Sequence, residues 1–101
     1  RVVCVDPDPG RRAAAGALGL ETAAPGPPDT EVDLWCELAG DGAAFPEVQA
    51  RLALGARVVL AGAVFPTAPL ALDMERCIRR GVTLRGVHNY RPEHLGQALA
   101  F

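Results

Sequence analysis

The sequence predicts an α/β domain built on a parallel sheet, and three observations lead there. Its apolar runs are short and continuous rather than alternating, as in Val2 to Val5, "VDLW" from Val32 and "RVVLA" from Arg57, which is the pattern of strands buried on both faces. Between these runs lie stretches that carry helix start and stop signals. Strand and helix follow one another four times along 101 residues, the order of a parallel sheet with covering helices.

The elements can be taken in turn. Val2 to Val5 reads as a buried strand ended by the turn residues Asp6 and Pro7. Asp8 then caps a helix with Pro9 at its first position, which continues from Arg11 to Leu18 and closes at Gly19. A short strand fits near Glu21 to Ala23, followed by a surface loop with Pro25, Pro27 and Pro28. Val32 opens the next strand, ending at Gly40, and Phe45 to Leu54 reads as a helix stopped by Gly55. A strand over Arg57 to Ala61, a Pro-containing loop, a short helix capped by Asp73, a strand in "VTLRGV" and a helix from about Pro92 cut off at Phe101 complete the chain. There are no repeats and no linker that would divide it.

Composition narrows the function. A formal net charge of -2 gives no electrostatic ground for binding nucleic acid or an anionic membrane. No apolar stretch reaches the ~20 residues of a transmembrane helix, and only four residues separate Arg1 from Asp6, so neither a membrane span nor a signal peptide is read and a cytoplasmic location is expected. Cys4, Cys36 and Cys77 are odd in number, widely spaced and without a nearby His, so they are expected to be small buried hydrophobes rather than metal ligands. Trp35 and Met74 are expected in the core, and Arg76, Arg79 and Arg80 on a solvated helix face.

In a parallel α/β fold, ligands bind beyond the carboxyl ends of the strands. That directs attention to Asp6 to Gly10, Leu38 to Gly42, Gly62 to Pro66 and Val87 to Tyr90. A carboxylate ending the second strand of a dinucleotide-binding fold holds the adenosine ribose. Asp6 has that place if Val2 to Val5 is a second strand, the first strand and its Gly-rich turn lying upstream of Arg1. The plainer alternative is that Asp6 only supports the turn beside Asp8. "GDGAAF" from Gly40 matches G-x-G-x-x-G in part, but Phe45 replaces the third glycine, and the strand that follows has no carboxylate at its tip. Its glycines are expected to shape the turn.

Taken together, "VDPDPGRRAAAGALG", "VDLWCELAGDGAAFPEVQARLALGARVVLAGAVFP" and "RGVTLRGVHNY" resemble the nucleotide-binding domain of the zinc-type medium-chain alcohol dehydrogenases. "LRGVHNYRPEHL" resembles a bacterial branch described as phosphonate-catabolism-associated. The resemblance implies a partial Rossmann-type, doubly wound parallel sheet lacking its first strand and Gly-rich turn, with residues 1–101 as the C-terminal part of the domain. It implies NAD rather than NADP as cofactor, because an acid at Asp6 repels a 2′-phosphate. By position, Asp6 and Arg11 would hold the adenosine ribose, and Ala39 and Gly40 would line the adenosine pocket. Backbone groups of Ala61, Gly62, Ala63, Val87 and Asn89 would hold the nicotinamide carboxamide.

The family's zinc ligands, proton relay and Gly-rich turn belong upstream of Arg1, so no residue here is expected to be catalytic or to bind metal, and the segment alone is expected to be inactive. The implied whole is a homo-oligomer acting on a small alcohol. His88, a titratable group in a ligand-facing loop, reads as an ordinary loop residue. Two other readings stand beside this one: an S-adenosylmethionine-dependent methyltransferase domain, which also places an acid after its second strand, and a non-catalytic packing or oligomerisation module. In the strand order 3-2-1-4-5-6 the missing strand is central, so Val2 to Val5 should not bond directly to Val32 to Cys36.

Overall fold

A computed structural model describes residues 1–100; the end of the last helix expected at Phe101 lies outside the described residues. Five strands and four α-helices follow one another as β1 (Val3–Val5), α1 (Pro9–Ala17), β2 (Glu21–Ala23), β3 (Val32–Glu37), α2 (Phe45–Gln49), β4 (Leu52–Leu60), α3 (Met74–Arg80), β5 (Thr83–Gly86) and α4 (Pro92–Ala100), with a 3-10 turn at Gly42–Ala44 before α2. The strands form two sheets, β1-β2 and β3-β4-β5, and every ladder is parallel. As expected from the strand order, β1 pairs with β2 and not with β3.

Local chemistry explains the first unit. The Asp8 carboxylate accepts the N–H groups of Gly10 (2.6 Å) and Arg11 (3.1 Å), with Pro9 supplying a first helical residue that has no N–H to satisfy. The helix returns the chain to β2, whose register sets Val3 against Glu21 and Val5 against Ala23. The ladder runs one bond further, from Asp6 N–H to the Ala23 carbonyl (3.3 Å), so Asp6 sits at the strand tip.

The core belongs to the second sheet. Phe45, Val48, Leu52, Ala56 and Val58 are buried together, and Trp35, Leu60, Leu70 and Val82 pack against them. The Trp35 and Phe45 rings lie 5.3 Å apart at 34°. This burial overrides local propensity. The helix expected to run to Leu54 stops at Gln49, because Leu52 gains more by joining the core cluster from a strand than from an extra helical turn. The N–H of Val32 captures the Arg51 carbonyl at 2.8 Å and starts the ladder there. Between the pairs Val32–Leu52 and Leu34–Arg57 the β4 strand carries extra residues, and Gly55 takes the left-handed backbone (φ 75°) that this bulge needs.

Four further expectations are corrected. The strands are not covered on both faces among the described residues: β5 is exposed throughout, and Val5 and Leu34 are about half exposed. Met74, the first residue of α3, is 70% exposed rather than core, and Cys36 is exposed while Cys4 and Cys77 are half-buried. Of the three arginines on α3, Arg79 pairs with Glu75 and Arg80 with Glu31. Arg76 instead reaches back to the carbonyls of Gln49 (2.9 Å) and Ala50, satisfying acceptors that the end of α2 leaves without helical partners. With the bond from Asp73 N–H to Gln49 Oε1 (2.7 Å), it docks α3 on α2.

The Asp8 cap has a pH signature. The N–H groups of Arg11 and then Gly10 hold its carboxyl below the ordinary 3.8. Its contribution is therefore complete above about pH 3.8 and disappears as pH falls through the lower folded-state value. Urea midpoints of wild type and Asp8→Asn should differ by a constant amount from pH 7 to pH 5 and converge with further acidification. A difference that is independent of pH down to pH 2 would remove the charged cap from the account.

Candidate cofactor-binding site

The sequence-predicted site residues fall into two groups. At the tip of β1, Asp6 Oδ1 accepts the N–H of Asp8 (2.8 Å), while Oδ2 lies 3.7 Å from the Arg11 guanidinium. The plain turn-supporting role is therefore real, and it uses one carboxylate oxygen. The other faces Arg11, which α1 presents one turn after its cap. Arg12 closes the base of the loop by donating to the carbonyls of Asp6 (2.6 Å) and Pro7 (2.9 Å). A half-buried carboxylate with one oxygen directed to an exposed arginine is suited to accepting two neighbouring hydroxyl groups.

The second group gathers at the carboxyl edge of β3-β4-β5. Because these strands are parallel, Leu38 to Gly40, Ala61 to Ala63 and Val87 to Asn89 leave the same edge of the sheet. Hydrogen bonds beyond the strand ends tie them together: Ala61 and Gly62 N–H both donate to the Glu37 carbonyl at 3.0 Å, and Val87 N–H donates to the Leu60 carbonyl at 2.9 Å. Gly40 and Gly62 let the first two loops touch backbone to backbone. A Cβ on Gly40 would meet the Gly62 carbonyl oxygen at 2.8 Å, and Gly40 has a left-handed backbone (φ 76°). The glycines of "GDGAAF" thus shape a turn, as expected, and Gly42 begins the 3-10 segment capped by Asp41.

Sequence reasoning passed over Glu37. It is the last residue of β3 and the only buried charged side chain among the described residues, at 5% exposure. Its Oε1 accepts the N–H groups of Ala39 (2.8 Å) and Gly40 (2.7 Å). The available signal was an acid at the end of an apolar strand directly before a glycine turn, the same reasoning that singled out Asp6.

Beyond β5, Asn89 takes a left-handed conformation (φ 60°) and an open cleft of about 570 Å³ is lined by Arg85, His88, Tyr90, Arg91 and His94 among others. His94 Nδ1 accepts the Arg91 N–H at 3.3 Å and so caps α4. The His88 side chain makes no hydrogen bond among the described residues. No group of three or more His, Cys, Asp or Glu side chains able to hold a metal is present among the described residues, and no helix there is long and apolar enough to cross a membrane.

The close approach of the two glycine loops makes a test. In Gly62→Ala the new Cβ would meet the Leu38 carbonyl carbon at 2.5 Å and the Ala39 nitrogen at 2.7 Å, both backbone atoms that cannot rotate away. Chemical denaturation should show a loss of about 1–3 kcal/mol, the ordinary cost of overpacking, with NMR shifts concentrated at Leu38 to Gly40. An Ala variant of wild-type stability would show that the loops do not touch.

No protein-family model matches the chain, and no curated protein sequence matches it. Solved structures do. Over 100% of this chain it is similar to an NAD-dependent alcohol dehydrogenase (23% identity, TM-score 0.76, 32% of that chain). L-idonate 5-dehydrogenase from Escherichia coli str. K-12 substr. MG1655 matches over 99% of this chain and 31% of its own (18% identity, TM-score 0.75). 2R,3R-butanediol dehydrogenase from Bacillus subtilis matches over 97% of this chain and 31% of its own (17% identity, TM-score 0.73). Each match extends over residues of both sheets. The chain therefore has the parallel, Rossmann-like α/β fold that these dehydrogenases carry, and it spans about a third of their length.

Proposed function

We propose that this chain is the NAD-holding part of a zinc-containing alcohol dehydrogenase, with residues 1–101 forming the C-terminal part of its nucleotide-binding domain. The observation that carries the reading is the division of the sheet. β2-β1 and β3-β4-β5 are all parallel, and their internal orders match the outer parts of a 3-2-1-4-5-6 sheet, which a strand 1 between β1 and β3 would join. The exposed apolar residues Val5, Leu34 and Leu84 support it, since parallel strands of this composition are normally covered. The likeness to solved dehydrogenase structures supports it as well.

In this reading Asp6 and Arg11 take the adenosine ribose hydroxyls. The acid accepts hydrogen bonds that a 2′-phosphate could not offer, which favours NAD over NADP. Ala39 and Gly40 bound the adenosine pocket with small side chains. Main-chain groups of Ala61, Gly62, Ala63, Val87 and Asn89 orient the nicotinamide carboxamide, and the bonds from Ala61, Gly62 and Val87 to Glu37 and Leu60 hold that backbone in place. The bound nicotinamide supplies the hydride acceptor. The described residues do not form a zinc site, so no step on this chain is assigned to the metal. A small alcohol substrate, a homo-oligomeric whole and a cytoplasmic location complete the proposal.

A methyltransferase remains the competing reading because it too uses an acid after its second strand. Against it, β5 pairs parallel with β4 and leads into α4, whereas that class ordinarily ends its sheet with an antiparallel hairpin.

In the intact gene product, Asp6→Ala should weaken NAD by about 1–3 kcal/mol, the cost of removing a charged hydrogen-bond partner, as measured by calorimetry. Equal NAD affinity in the variant would take Asp6 out of the site.

A further inference from the structure

We propose that Glu37 is a positioning residue for the adenosine end of the cofactor, acting through the Leu38 to Gly40 loop without touching the ligand; this rests on the cofactor reading above. A buried carboxylate is uncommon and is tolerated only when its oxygens are hydrogen-bonded. Glu37 meets that condition within its own turn, by taking the N–H groups of Ala39 and Gly40 at 2.8 and 2.7 Å. Its main-chain carbonyl takes Ala61 and Gly62 N–H at 3.0 Å each. Four donors from two loops thus converge on one residue at the tip of β3.

The geometry has a consequence for binding. With both N–H groups drawn inward onto Oε1, the outer surface of the turn presents the small Ala39 side chain and the Gly40 backbone rather than competing donors. Such a wall suits the apolar face of an adenine ring. The turn is also clamped from its other side, where the Gly62 backbone leaves no room even for a methyl group. The side chain of Glu37 fixes the adenosine-side loop, and its carbonyl fixes the nicotinamide-side loop. A change confined to the side chain should therefore be felt at the adenosine end.

The test is calorimetric binding of adenosine monophosphate and of NAD to the intact gene product carrying Glu37→Ala or Glu37→Gln, at a temperature where circular dichroism shows each variant folded. Glu37→Ala leaves two N–H groups unpartnered, and both ligands should weaken by the same factor, about tenfold, as expected for losing a charge-assisted acceptor. Glu37→Gln keeps a carbonyl oxygen in place and should recover most of that loss. A residue with only a structural role would lower the melting temperature and leave both affinities of the folded protein unchanged. That result overturns the proposal, as does an Ala variant that loses NAD but keeps adenosine monophosphate. If the Ala variant does not fold, the Gln variant decides. Its Ala39 and Gly40 amide resonances should move and its adenosine monophosphate affinity fall a few-fold, and no change in either overturns the proposal. A wild-type protein that binds neither ligand overturns both the cofactor reading and this inference, whereas wild-type binding with an unaffected Ala variant overturns this inference alone.

Discussion

The carboxyl edge of β3-β4-β5 exists in a usable form because hydrogen bonding continues past the ends of the strands. A parallel ladder stops wherever its strands diverge into loops, and the loop N–H groups must then find other acceptors. Here they find Glu37 and Leu60. The two glycine loops can sit backbone against backbone only because their donors are already satisfied, and the third loop follows by the bond from Val87. Remove that network and the three segments have no common geometry, whatever ligand they serve.

The same economy of acceptors explains the packing. Phe45 and Val48 of a five-residue helix cover Leu52, Ala56 and Val58. A helix so short has little stability of its own, and it is held by Arg76 and Asp73 from α3. The first unit is more local, with cap, helix and strand pair following each other within 23 residues. Among the described residues β1 and β3 each pair on one side only, and Val5, Leu34 and Leu84 are left partly uncovered. These open apolar strands belong to a fold shared with about a third of the length of several dehydrogenases.

Much of this was legible in the sequence where the signal was local. Asp8-Pro9 announced a helix start, continuous Val and Leu runs announced parallel strands, and the acid after the first strand marked Asp6 as the strand tip, whereas Arg11 was named only through the family resemblance. The boundary between α2 and β4 was not legible, because Ala50 to Leu54 has good helical propensity and its strand portion is set by burial of Leu52 against Phe45 and Val48. Met74 and Cys36 misled for a related reason: composition indicates that a side chain can be buried, while only the fold decides whether anything covers it. Arg76 looked like its two neighbours on α3, and its partners at Gln49 and Ala50 are set by tertiary contact alone. Glu37 lay in plain sight at a strand end, but its burial could not be read from a run of apolar residues that it terminates.

The central claim is that the three tied loops and Asp6 together form an NAD site, and a calorimetric titration of the intact gene product with NAD beside S-adenosylmethionine tests it most directly. The account predicts saturable, near-stoichiometric binding of NAD and none of S-adenosylmethionine. Binding of S-adenosylmethionine without NAD would contradict it and transfer Asp6 to a methyltransferase ribose site, and binding of neither would leave the fold without the cofactor role argued for it.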